Sequence, residues 1–304
     1  MNNLFQKTSS HWVKFSEYEL REKDGILYLK PAPKAEPIVY DPLKDADNMV
    51  LDALNVGMLQ MNRAGADKVK AAVIDFVSKY GLLGFITALP TTSHFMDYDA
   101  VYLPKNHFIK EESVSVDDYA DLFFPFEKPD FTKTKDEVRW EVRWNVSGDR
   151  KMLALAATFG NGPMAMNMSF QREYAESYDW LTTQFKDWAF TFVSSFLYYE
   201  DYDKIDETTR DLYRQGMAAF GGIAPTYHIA LYDKPTIVWD FYSLLLGMQM
   251  MFSFMLTDDK KPLRCCKHCQ KVFMAGHPNA AFCSARCKNQ YNVYKSRDKK
   301  KSTD

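Results

Sequence analysis

The chain has 304 residues, 46% of them apolar and 15% aromatic, enough to bury a sizeable core and to exclude a disordered polyelectrolyte. Its net charge of -2 conceals an asymmetry, because residues 264–304 hold ten Lys/Arg against two acids while the remainder holds 28 basic and 38 acidic residues. A small basic segment on a large acidic body suits a polyanionic partner.

The opening run Met1–Lys7 lacks the apolar stretch and small-residue cleavage site of a secretory signal. The expected compartment is therefore the reducing cytoplasm, where thiols hold metals rather than form disulfides. Gly25–Lys30 reads as a strand closed by Pro31, with Pro33 and Pro37 in the connector that follows. Leu51, Leu54, Met58 and Met61 recur at helical spacing, and Val69, Val73, Phe76, Val77 and Tyr80 do so again before Gly81, placed as a helix C-cap. Pro90, Pro104, Pro125 and Pro129 mark loops and short elements between 90 and 135. Arg139–Trp144 alternates apolar and charged side chains, the pattern of a half-buried strand.

The second half reads more helically. Residues 171–199 contain no Gly or Pro and predict one long or broken core helix, and 206–219 predict another, ended by Gly221, Gly222 and Pro225. Glu200, Asp201, Asp203, Asp206 and Glu207 cluster between them without calcium-loop spacing or its glycine, as a solvated helix boundary would. Tyr227–Tyr232 reads as a short strand. The apolar run Ile237–Leu256 is long enough for a bilayer, but Asp240 and Gln249 lie inside it, so a buried core helix is expected and no membrane partner. The expected fold is mainly α with minor β (α+β): a helical body over 1–260 with an N-terminal β and loop subregion, and a small module over 261–304.

All five cysteines fall between 265 and 287. Cys266-x2-Cys269 and Cys283-x3-Cys287 are each spaced so that two thiolates meet one ion, and the segment between them suits a hairpin, which predicts a tetrahedral structural Zn2+ site. The first pair forms a knuckle with Phe273 behind it, Gly276–Asn279 makes a loop, and Ser284 starts a helix. Cys283 then sits at a positive helix N-terminus and Cys287 one turn in, which favours both thiolates. Knuckle, hairpin and ligand-bearing helix make a treble-clef layout. Cys265 is left as a structural or spare thiol, and His268 and His277 as solvated or hydrogen-bonding side chains.

The helix beyond Cys287 has two faces. Cys287, Tyr291 and Tyr294 should point into the small core, while Lys288, Asn292, Lys295 and Lys299 form an outer stripe suited to phosphates. Arg297 adds a cation to the same helix, and Asn292 or Arg286 carries donors of the kind that read base edges.

Leu263-Arg264-Cys265-Cys266-Lys267-His268-Cys269, Val272-Phe273, Phe282-Cys283-Ser284, Cys287-Lys288-Asn289-Gln290 and Tyr294-Lys295-Ser296-Arg297 together resemble the C-terminal zinc finger of the bacterial CGNR-type family. The resemblance implies a helical N-terminal region, a four-cysteine finger with a basic helix, and DNA-binding transcription regulation. It implies Cys266, Cys269, Cys283 and Cys287 as zinc ligands and Asn289 as the signature asparagine. Cys287-Lys-Asn-Gln290 stands here where that family has Cys-Gly-Asn-Arg.

No phosphate-binding glycine loop, Gly-x-Ser-x-Gly elbow, His-Glu-x2-His or dinucleotide fingerprint occurs, and four thiolates leave a metal no open position, so no enzyme is expected. The expected function is nucleic-acid binding, DNA first, by a bacterial regulator whose body senses a ligand, pairs as a homodimer or binds a protein. A second reading makes it a protein-interaction or phage and defence-associated protein, its finger structural and its helical body active.

Overall fold

The computed structural model describes residues 12–85, 100–102, 113–115, 118, 121–127, 173–218, 226–240, 243–277 and 279–301. The run Met1–Lys7, the loop prolines Pro90, Pro104 and Pro129, the expected strand Arg139–Trp144 and the break at Gly221, Gly222 and Pro225 lie outside the described residues. The fold is α+β. In chain order come β1 (Trp12–Phe15), β2 (Tyr18–Lys23), β3 (Ile26–Pro31), β4 (Pro37–Tyr40), α1 (Ala46–Met61), α2 (Ala66–Tyr80), β5 (Ala100–Tyr102), β6 (Ser113–Ser115) and β7 (Glu176–Ser177). They are followed by α3 (Tyr178–Glu200), α4 (Glu207–Ala218), β8 (Thr226–Leu231), β9 (Pro235–Asp240), α5 (Leu244–Leu256), β10 (Leu263–Cys265), β11 (Val272–Met274) and α6 (Ala285–Lys301).

The chain divides into two compact units, one of Met1–Ala46, Val73–Leu181 and Gly222–Gln249, the other of Asp47–Ala72, Thr182–Gly221 and Met250–Asp304. In the first, β2 and β3 form a hairpin whose turn residues Asp24 and Gly25 both have positive φ, 52° and 77°. That is the handedness a two-residue hairpin turn needs. β7 adds to the far side of β3 through Tyr28↔Ser177 and Leu29↔Glu176, and β1 pairs with β4 from Trp12↔Tyr40 to Phe15↔Pro37. Trp12, Phe15, Leu29, Phe76, Val77 and Leu83 are buried, and the Trp12 Nε1–H donates to Leu82 O at 3.1 Å. Gly81 ends α2 as expected, with φ of 91°.

Glu176 explains why α3 starts later than its sequence suggests. Its carboxylate is fully enclosed and accepts from the N–H groups of Leu83 (2.8 Å), Gly84 (2.7 Å) and Phe85 (3.1 Å) and from the Tyr174 hydroxyl (2.6 Å). Four donors on one carboxylate hold residues 174–177 extended against the segment after α2, so the helix begins at Tyr178 rather than near 171. The apolar run from Ile237 is likewise not one helix. Thr236, Ile237, Val238 and Trp239 are β-branched or aromatic and lie in β9, paired with β8 over the stretch expected to be a strand, and Ser243 then opens α5 by accepting from Leu246 N at 3.1 Å. No helix among the described residues is long and apolar enough to cross a membrane.

The second unit is helical around the cysteine segment. Phe185, Trp188, Ala189 and Phe192 recur on one side of α3 and are buried, each large side chain contributing about 1.5–3 kcal/mol. α1 crosses α3 at Gly57, where an added Cβ would lie 2.0 Å from Phe185 O and 2.6 Å from Ala189 Cβ. Only glycine permits that approach. The acidic cluster is structural, as expected: Asp206 caps α4 through Thr209 N (2.8 Å), Asp201 pairs with Lys204, and Glu207 pairs with Arg210 and Arg214.

Candidate metal centre

β10 and β11 form an antiparallel hairpin in the register Leu263↔Met274, Arg264↔Phe273 and Cys265↔Val272. Its tip is a tight knuckle. Cys266 N donates to Lys271 O at 2.9 Å, Gln270 N donates to Cys266 O at 2.9 Å, and Gln270 takes φ of 61° to close the turn. Lys267 N binds Ala281 O at 3.0 Å, which brings the returning chain alongside the knuckle. Ser284 then caps α6, its Oγ accepting from Cys287 N at 3.2 Å, so Cys283 stands at the helix N-terminus and Cys287 in the first turn.

These local structures converge four sulfurs. The Sγ atoms of Cys266, Cys269, Cys283 and Cys287 all lie within 4.8 Å of one another, with Cys269 to Cys283 at 3.7 Å and Cys283 to Cys287 at 3.5 Å. A tetrahedral thiolate shell with metal–sulfur bonds of ~2.3 Å has sulfur–sulfur edges of about 3.8 Å, whereas a disulfide needs ~2.05 Å. The geometry fits a shared ion, and all five cysteines are free thiols. Among the described residues no other group of His, Cys, Asp or Glu is gathered in this way.

The electrostatics point the same way. Burial disfavours the Cys266 thiolate, but backbone N–H groups of Cys269, Cys283 and His268 outweigh it and bring its pKa down to about 6. Cys283 is pushed up to about 12, by desolvation and then by the sulfurs of Cys287, Cys269 and Cys266, and Cys269 is also raised. Desolvation is the largest cause at both, with the neighbouring Cys266 and Cys287 sulfurs adding to it. A bound cation would offset that cost for the Cys269 and Cys283 thiolates.

Cys265 is outside the cluster. Its Sγ lies 3.5 Å from Gln270 O, and burial pushes its thiol up to about 11, as suits a spare thiol. His268 is a hydrogen-bonding side chain, with Nε2 3.0 Å from Gln290 Oε1, and His277 is exposed.

Two anchors fix the module within its unit. Asn55 on α1 donates from Nδ2 to Val272 O at 3.1 Å and accepts at Oδ1 from Val272 N at 2.8 Å. Arg264 on β10 pairs with Glu200 at the end of α3 (3.2 Å) and lies over the Phe196 ring. Neither contact was visible in the sequence, since each joins residues far apart in the chain.

The expected nucleic-acid contacts Arg286, Lys288, Asn292, Lys295 and Arg297 are all exposed on α6, and the side chain of Lys299 lies outside the described residues. Helical spacing separates them into two lines, Lys288, Asn292 and Lys295 on one and Arg286 and Arg297 on another. Tyr291 packs on Phe282 at 5.2 Å between ring centroids, both half-buried. Tyr294 does not follow it inward: it is 53% exposed and stacks on His268 at 5.8 Å. The i, i+7 relation to Cys287 puts Tyr294 on the inner side of α6, but the small module ends before covering it.

No protein-family model, curated protein or solved structure matches this chain.

Proposed function

We propose that the chain binds nucleic acid through a C-terminal treble-clef finger built on structural zinc. The observation that carries this reading is the convergence of Cys266, Cys269, Cys283 and Cys287 at the root of a helix whose outer residues are cationic. Four thiolates in tetrahedral disposition select zinc or an iron–sulfur centre over hard cations, and zinc is the choice for a site whose role is to fold a short module. With no open coordination position the ion does no chemistry on a substrate. Its work is to hold the knuckle against α6.

Lys288, Lys295, Arg286 and Arg297 then meet phosphates, and the acidic remainder of the chain repels the same polyanion, orienting the finger toward it. With the resemblance to CGNR-type fingers, this makes a bacterial DNA-binding transcription regulator, cytoplasmic, with the body as its ligand-sensing or self-pairing part. The test is fluorescence anisotropy of labelled DNA with the zinc-loaded full chain. Roughly 4–6 phosphate contacts give a log–log salt slope of about -4 to -5, and the double change Lys288→Glu with Lys295→Glu should flatten it by about 2. A salt-independent signal, or none, would sink the reading.

A second reading, a protein-interaction module, is favoured by one observation. Tyr227, Ile229 and Leu231 alternate along β8 and are 61%, 67% and 82% exposed, an apolar face of the kind that partners cover.

A further inference from the structure

We infer that the finger takes its nucleic acid as a single strand, with an unpaired base stacked on Tyr294. The inference rests on the nucleic-acid reading above and specifies its target.

Three features of Tyr294 set it apart from an ordinary surface tyrosine. Its ring is 53% exposed, yet it lies against the His268 imidazole at 5.8 Å between centroids and 24° between planes. His268 is itself held by the 3.0 Å contact to Gln290 Oε1, one turn back on α6, so knuckle and helix jointly fix the ring in place. The small core does not need it, because Tyr291 already packs on Phe282. What remains is an oriented aromatic face with a second ring behind it and solvent in front. A base laid on that face meets an ordered stack and leaves little side-chain freedom to be lost.

Its neighbours supply the phosphate contacts. Lys295 follows Tyr294 directly and Arg297 lies one turn on, both exposed. Tyr294 thus falls between the two cationic lines of α6, where a strand passing over the helix meets cations on either side of the ring. Bases inside a duplex are already stacked on both faces and cannot use such a surface, whereas an unpaired base in DNA or RNA can.

The test uses the zinc-loaded full chain with fluorescent oligonucleotides of about 12 nucleotides: single-stranded DNA, the same strand annealed to its complement, and single-stranded RNA of the same sequence. We expect at least one single strand to bind more tightly than the duplex, the two strands deciding between DNA and RNA. Tyr294→Phe should retain that affinity. Tyr294→Ala and Tyr294→Leu should each weaken it by about fivefold or more while leaving duplex binding unchanged. Tyr294→Leu keeps apolar bulk, and zinc stoichiometry by native mass spectrometry checks that each variant retains the finger. Duplex binding as tight as that of both single strands, or Leu and Ala variants equal to the parent, overturns the inference while the nucleic-acid reading stands. Failure of all three probes to bind overturns that reading as well.

Discussion

Glu176 and the four-cysteine cluster are two sites built from acidic groups, and comparing them shows how differently the chain supplies partners to each. Glu176 is enclosed, and the chain answers it completely, with three amides from Leu83–Phe85 and the Tyr174 hydroxyl. The hydrogen bonds offset part of the desolvation, and the remainder lifts the carboxyl above its ordinary range. At the cysteines, backbone N–H groups bring only Cys266 below its ordinary range; Cys269, despite the Lys271 N–H, and Cys283 stay raised by desolvation and their sulfur neighbours. The first arrangement is a polar core supplied from within the chain, and the second is spaced so that it could hold a cation.

The largest effect should come from denying the cation. For structural zinc in finger peptides the coupled binding and folding energy is ~10–16 kcal/mol, so Cys283→Ser should lose the metal and the ordered α6 together. Zinc stoichiometry by mass spectrometry and amide exchange along Ala285–Lys301 read both; retention of stoichiometric metal by that variant would count against a four-thiolate site. Next comes Glu176→Ala, which leaves three buried amides without an acceptor and should cost about 3–5 kcal/mol in urea unfolding. A cost below ~1 kcal/mol would mean that water replaces the carboxylate.

Acid should separate the two sites in opposite directions. Burial lifts the Glu176 carboxyl above its ordinary range, so its contribution to stability is full below that range and declines as pH rises through the lifted value. The Cys266 thiol is depressed to about 6 without metal, so its contribution is full above the ordinary thiol range and is lost as pH falls through about 6. Protons also compete directly for the ligands. Lowering pH from 7 toward 5 should therefore release metal, read with a chromophoric chelator, while exchange at the Leu83–Phe85 amides stays slow. The smallest effect is Asn55→Ala, about 1–2 kcal/mol for two part-buried hydrogen bonds, read as earlier melting of the module with metal still bound.

The gathering of the four cysteines is legible in the sequence because its elements are local: two short spacings and a Ser cap at 284 lie within a few consecutive residues. The Glu176 site is not, since three of its four donors are backbone amides some ninety positions earlier, which leave no side-chain signature. The buried helix expected over Ile237–Leu256 holds for Leu244–Leu256 but not for the residues before Ser243, because apolarity alone does not separate a strand from a helix. The β-branched residues before Ser243 carried the distinction. Tyr294 was placed in the core by a helical period that is correct about direction but blind to where the module ends.

Asn55 has one more consequence. Its amide engages both backbone groups of Val272, on a two-stranded sheet whose outer edge would otherwise offer a free N–H and C=O to any passing chain. A side chain here plays the part of a third strand. By capping that edge it denies the hairpin to strand invasion and intermolecular zippering, so protection against aggregation is built into the joint that holds the hairpin in place.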